Sequence, residues 1–207
     1  MSIENLVFLP DSPYTEWIIK RSENLFPGLN KYLVIVDDIT KPTRFTNSDI
    51  AIIESKNLIK APVLLDLSSF KRVIVNYHTP FIGHFLMGRK QDLSQAKLIW
   101  IIWSGDLYKH PSFLTKAYTS TTLAALPPEK TVQAWKQSFH HRVLQAIGKP
   151  NKYTFEKSFS NFDFVASIFE KDVEEAESVL GVKAKWIKFA FLSLQEMFSE
   201  EYLKNRP

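Results

Sequence analysis

The chain has no cysteine among its 207 residues, so disulfide frameworks and thiolate metal sites are excluded and a reducing compartment is permitted. Its five histidines show no paired ligand spacing, which predicts no metal site. No segment approaches the roughly 20 consecutive apolar residues that cross a bilayer as a helix. The start, Met1-Ser2-Ile3-Glu4, has neither a basic n-region nor an apolar h-region, which predicts a chain kept in the cytoplasm. No G-x-G-x-x-G follows the first predicted strand, which argues against a dinucleotide dehydrogenase and leaves no cofactor expected. The absence of G-x-S-x-G weakens a small-molecule hydrolase. Without a dense Lys/Arg block or a helix-turn-helix or RNA-binding signature, nucleic acid is not the expected partner.

What is present is globular. At 45% hydrophobic and 14% aromatic, 207 residues suffice for one sizeable α/β domain. A net charge of +4 suits anionic partners such as nucleotides, pyrophosphate lipids or a membrane surface.

Apolar runs alternate with helical patterns along the chain. Strands are predicted at Ile3 to Leu9, Tyr32 to Val36, Asp49 to Glu54, Val73 to Tyr77, Leu98 to Trp103, Phe162 to Phe169 and Lys185 to Phe189. Val63 to Phe70 reads either as a strand or as one or two helical turns. Helices are predicted at Tyr14 to Leu25, Phe81 to Met87, Pro111 to Tyr118, Glu129 to Ile147, Asp172 to Leu180 and Leu192 to Leu203. Such βαβ repetition implies a doubly wound, mostly parallel, Rossmann-like sheet. The acidic pair Asp37-Asp38 after L-V-I-V mimics a receiver domain, but that strand is second rather than first, so the pair reads as a solvated strand end.

The most informative stretch is Lys97 to Tyr108, K-L-I-W-I-I-W-S-G-D-L-Y. Leu98 to Trp103 is apolar at every position, as in a strand covered on both faces. Ser104-Gly105 then breaks the run, and Asp106 and Tyr108 emerge beyond the strand's carboxyl end, where open α/β sheets bind ligands. The simpler alternative is a core strand with Asp106 capping the next helix. His78 is likewise delivered to a strand end, either as a catalytic group or as a structural hydrogen-bonder, while His84 lies further into the following helix. Lys130, Lys136, His140, His141 and Arg142 form a basic face on the helix from Glu129, either solvated or in contact with anionic headgroups.

W-x-x-W-S-G-D-L-Y, with N-Y-H-T-P-F at Asn76 to Phe81, resembles the bacterial 4-alpha-L-fucosyltransferase family. His78, Phe81, Trp103, Asp106, Leu107 and Tyr108 match the family pattern, with the glycine displaced by one position to Gly105. The resemblance implies transfer of N-acetylfucosamine from a TDP donor to a lipid-linked oligosaccharide in enterobacterial common antigen synthesis, without a metal. It also implies the acceptor-side, amino-terminal half of a GT-B fold, inactive by itself, at the inner face of the cell membrane. Residues 1–190 would form that domain, and 191–207 a helix or linker towards a donor-binding domain that holds the nucleotide sugar.

In that architecture Asp106, and after it His78, is the expected base, while Asp11, Ser12, Trp103, Gly105 and Tyr108 bind the acceptor saccharide. Trp100 is a platform or plain core. A non-catalytic saccharide- or protein-binding module is the alternative.

Overall fold

A computed structural model describes residues 3–40, 50–58, 66–103, 107 and 152–189. Seven strands, β1 (Asn5–Pro10), β2 (Asn30–Val36), β3 (Ala51–Glu54), β4 (Arg72–Asn76), β5 (Lys97–Ile101), β6 (Phe164–Ser167) and β7 (Lys185–Lys188), form one sheet in the order β3-β2-β1-β4-β5-β6-β7. Every ladder is parallel. The fold is therefore a Rossmann-like, doubly wound α/β sheet, and the mostly parallel expectation holds for all seven strands.

The order follows from the strands' composition. β1 is buried over its first five residues, so it can only be a central strand with both faces covered. Its alternate residues feed two cores: Leu6 and Phe8 point to one, Val7 and Leu9 to the other. At the edges, β3 and β7 are short and more exposed, and β7 begins and ends with a lysine, which discourages pairing with another chain.

The winding direction reverses between β1 and β4, so right-handed crossovers place helices on opposite faces. Helix α1 (Thr15–Leu25) buries Ile19 against Val7, Leu9 and Val34. On the other face lie α2 (Pro80–Gly88), α3 (Lys152–Ser158) and α4 (Glu170–Leu180). That core gathers Phe8, Phe85, Trp100, Phe159 and Ala176, all 2% exposed or less, each large side chain contributing about 1.5–3 kcal/mol on burial. Helix α4 stops at Gly181, whose φ of 68° is left-handed and whose N–H donates to the Glu177 carbonyl.

The amino edge of the sheet is stapled by ion pairs between distant segments. Glu4 takes Lys71 at 2.6 Å and Arg72 at 3.4 Å, and Asp163 takes Lys97 at 3.0 Å. Asp163 also accepts the Leu98 N–H at 2.9 Å. On the same edge, Glu23 of α1 accepts hydrogen bonds from the Gly28 N–H and Tyr32 hydroxyl, both at 2.8 Å, and from Asn30 at 3.1 Å. Partial burial works to raise the Glu23 pKa, but these three donors outweigh it and the net shift is downward. Burial first, and then the Glu23 carboxylate, push the Tyr32 phenol up.

Three local expectations change, and of the two readings of Val63 to Phe70 the helical turn is the one found. The predicted strand from Phe162 starts two residues later, because Phe159–Asn161 is a 3-10 turn. β5 ends at Ile101 rather than Trp103. Val63 to Phe70 contributes a 3-10 turn at Leu67–Ser69, with Asp66 accepting from the Ser68 N–H. Helix α3 was not expected, although Phe155, Phe159 and Phe162 already stand at helical spacing. The predicted helices at Pro111 to Tyr118, Glu129 to Ile147 and Leu192 to Leu203 lie outside the described residues.

Candidate functional site

The strand order that separates α1 from α2 also opens a crevice at the carboxyl ends of β1 and β4. Their ladder ends at Phe8 and Val75, and just beyond it Asn76 donates from Nδ2 to the Phe8 carbonyl at 3.4 Å. Above this point lies a cavity of about 530 Å³ that β2 and the end of β3 also line. That volume falls within the range of small-molecule sites. Leu9, Ile35, Phe81 and Ile82 provide apolar wall, and Asp11, Asp37, Asp38, Ser55, Tyr77 and Thr79 provide the polar groups.

Each polar group reaches the cavity by local rules. Asp11 follows Pro10, which ends β1, and Asp37 and Asp38 follow β2. Asp38 accepts from the Thr40 hydroxyl at 2.7 Å and the Thr40 N–H at 3.0 Å, and the hydroxyl bond is the main cause of its lowered pKa. Ser55 follows Glu54, a 7% exposed carboxylate held by Lys56 at 3.1 Å and Asn57 at 2.9 Å. Thr79 caps α2, its hydroxyl oxygen accepting from the Ile82 N–H at 3.3 Å, and Pro80 fills the first helical turn.

Tyr77 has a φ of 66° and is the sole non-glycine residue with positive φ among those described. A bulky residue in the left-handed region is strained by on the order of 1–3 kcal/mol, and such strain clusters where a backbone is shaped for a ligand.

His78 lies behind the cavity rather than in its lining. Its ring is 2% exposed and packed among Phe155, Phe159 and Phe162, with centroids at 5.0, 4.8 and 5.2 Å. Nε2 lies 2.8 Å from the Ser158 hydroxyl. That hydroxyl gives its one hydrogen to the Phe155 carbonyl at 2.6 Å, so it accepts from His78 and the imidazole carries its proton on Nε2. The arrangement locks α3 beneath the tip of β4. Gly83 permits it: a Cβ there would stand 2.6 Å from the Ser158 hydroxyl oxygen. His84, half-buried on α2, has its pKa lowered by burial.

The remaining expected residues fall in several places. Asp11 lines the cavity, whereas Ser12 does not. Ser12 donates from its backbone N–H at 3.3 Å and its hydroxyl at 3.0 Å to Thr15 Oγ1, which itself donates to the Pro10 carbonyl, so it shapes the β1–α1 turn. Trp103 meets the exposed ring of Tyr14 at 5.9 Å, forming an aromatic pair between the ends of β1 and β5. Trp100 is fully buried core. Gly105, Asp106 and Tyr108 lie outside the described residues. They are flanked by Trp103 and the fully buried Leu107, whose N–H donates to the Trp103 carbonyl at 3.3 Å.

Ser55, Tyr77 and Thr79 were not singled out from sequence, and Asp37-Asp38 was read only as a solvated strand end. Strand order was the missing signal, since it alone brings residues 11, 37, 55 and 77 together. Among the described residues no cluster of His, Asp and Glu side chains is arranged to hold a metal ion, and no helix is long and apolar enough to cross a membrane. Comparison of the sequence with models of known protein families and with curated proteins finds no match.

Proposed function

We propose that this chain is the acceptor-side domain of a GT-B glycosyltransferase similar to the bacterial 4-alpha-L-fucosyltransferases. It would move an amino-deoxy sugar from a TDP-sugar to a hydroxyl of a lipid-linked saccharide. The observation that carries the reading is the cavity at the switch point of a parallel sheet, where β4 stands next to β5, the strand that leads into W-S-G-D-L-Y.

In this reaction the acceptor oxygen bonds to the anomeric carbon, the bond from that carbon to the TDP oxygen breaks, and TDP leaves with the electron pair. The acceptor's proton passes to a base, for which Asp106 is the candidate. His78 serves as a positioning residue, because its Nε2 proton is engaged by Ser158 and its ring is shut away from the surface. The exposed Tyr14 ring, backed by the half-buried Trp103, offers a stacking surface for a pyranose. A domain after residue 190 would hold the donor, and the basic helix from Glu129 would hold the chain to the anionic inner face of the membrane.

Asp106→Asn, in the protein carrying its donor domain, is expected to cut transfer to a lipid-linked acceptor by at least about a hundredfold at unchanged melting temperature. An early-melting variant that keeps its turnover would make Asp106 a helix cap and remove the assignment. Cosedimentation with anionic vesicles should weaken as salt rises, and equal retention on neutral vesicles would remove the membrane contact.

A further inference from the structure

A second cavity, of about 490 Å³, lies on the α1 face of the sheet and shares no described lining residue with the crevice at the strand tips. Val7 pairs with Ile74 and Asn76 with Ile101, so strand alternation puts these four side chains on one floor. Trp17 of α1 and Phe26 just past its end supply an aromatic wall, and Phe26 is 57% exposed, which leaves the mouth apolar. The charged groups of the lining are already engaged, Glu4 with Arg72 at 3.4 Å and Arg21 over the Trp17 ring at 5.6 Å. Such a lining favours a neutral, apolar occupant.

One polar atom on that floor is left over. Asn76 is 2% exposed, and its Oδ1 accepts no hydrogen bond among the described residues. The orientation of the amide is fixed, because the branch 3.4 Å from the Phe8 carbonyl must be its donor, Nδ2. Oδ1 is therefore turned away from β1, on the face that Ile74 and Ile101 share. Buried polar atoms are nearly always paired, so this oxygen calls for a donor brought in from outside the chain.

We propose that this cavity binds a neutral aromatic small molecule whose N–H or O–H group donates to Asn76 Oδ1, while its ring lies between the Trp17 wall and the floor of Ile74 and Ile101. An indole-type N–H and a phenol-type O–H share this chemistry. The single acceptor sets the selectivity: a ring of the same shape without a donor fills the groove but leaves Oδ1 unpaired. The inference does not depend on sugar transfer, since the cavity stands apart from the strand tips on which that reading rests.

NMR titration of the ¹⁵N-labelled 207-residue chain decides it, with two matched pairs of probes, indole with 1-methylindole and 2-naphthol with 2-methoxynaphthalene. One donor probe should bind saturably and shift the side-chain amide signals of Asn76, and its methylated partner should bind at least about tenfold more weakly. The tighter donor probe identifies which group the site takes. Asn76→Leu keeps the shape but removes the acceptor, so it should bring the donor probe down to the level of its methylated partner, while Trp17→Ala should weaken both alike. No saturable binding, a methylated probe that binds as tightly, or a donor advantage that survives in folded Asn76→Leu would overturn the proposal. If Asn76→Leu does not fold, the preference of the unmodified chain and the shift at Asn76 still decide. Loss of transfer by Asp106→Asn with this binding intact would leave the inference standing alone.

Discussion

The two edges of the sheet solve opposite problems. At the amino edge, Glu4 and Asp163 meet lysines and an arginine from segments more than 60 positions away, and strand starts are also tied by backbone bonds such as Lys71 N–H to the Glu4 carbonyl at 2.8 Å. At the carboxyl edge, Asp11, Asp37 and Asp38 line the cavity, and Tyr77 carries backbone strain. One edge joins charges across distant strands, while at the other Asp38 is held locally, by the hydroxyl and N–H of Thr40 two positions on. In a parallel sheet this division is natural, because each crossover helix returns the chain to the amino edge and leaves the carboxyl ends as free tips.

The comparison breaks most severely at the core both edges share. Trp100→Ala should cost about 3–5 kcal/mol, read as a fall in the urea midpoint, because it empties a fully buried site beside Phe159. A near-neutral change would mean that Trp100 serves a ligand after all. Next in size is Gly83→Ala, where the added methyl meets Ser158 and should cost about 1–3 kcal/mol while freeing the His78 imidazole. An NMR titration of the His78 ring that stays unchanged in this variant would refute the locked pair.

Asp163→Ala sharpens the amino-edge half, with an expected loss of about 1 kcal/mol from the Leu98 and Lys97 bonds together. Salt should shrink only the Lys97 share. The smallest effect concerns pH. The folded pKa of Glu23 lies below its ordinary 4.5, so its ionised carboxylate stabilises fully above that value and less as pH falls through the lower folded one. Glu23→Gln should therefore melt earlier than the unmodified chain at pH 7, with the gap closing in acid. A gap that widens in acid would contradict the hydrogen-bonded carboxylate.

Most strands were legible in the sequence because their apolar runs are bounded by Pro10, by Asp37-Asp38 and by His78-Thr79, each of which has a local mechanism for ending an element. Helix α3 was not, since it is only 7 residues long and its stripe continues into a 3-10 turn, which blurs the period. The site was half legible. Asp11 could be placed at a strand end from the residues around it, but its neighbours Ser55 and Tyr77 carry no motif and become site residues only through strand order. The assignment of His78 turned on burial, which no local pattern near residue 78 reveals, because its partner Ser158 lies 80 positions away.

The central place of β1 also sets a timetable for folding. It is made before both of its partners, which begin at Asn30 and Arg72, so one flank stays open until β4 has been synthesised. At about 5–20 residues per second, an apolar strand emerging from the ribosome waits several seconds for its second neighbour. Pairings this distant in sequence fold slowly and expose strand edges meanwhile, so the nascent chain is more vulnerable to aggregation than the finished sheet.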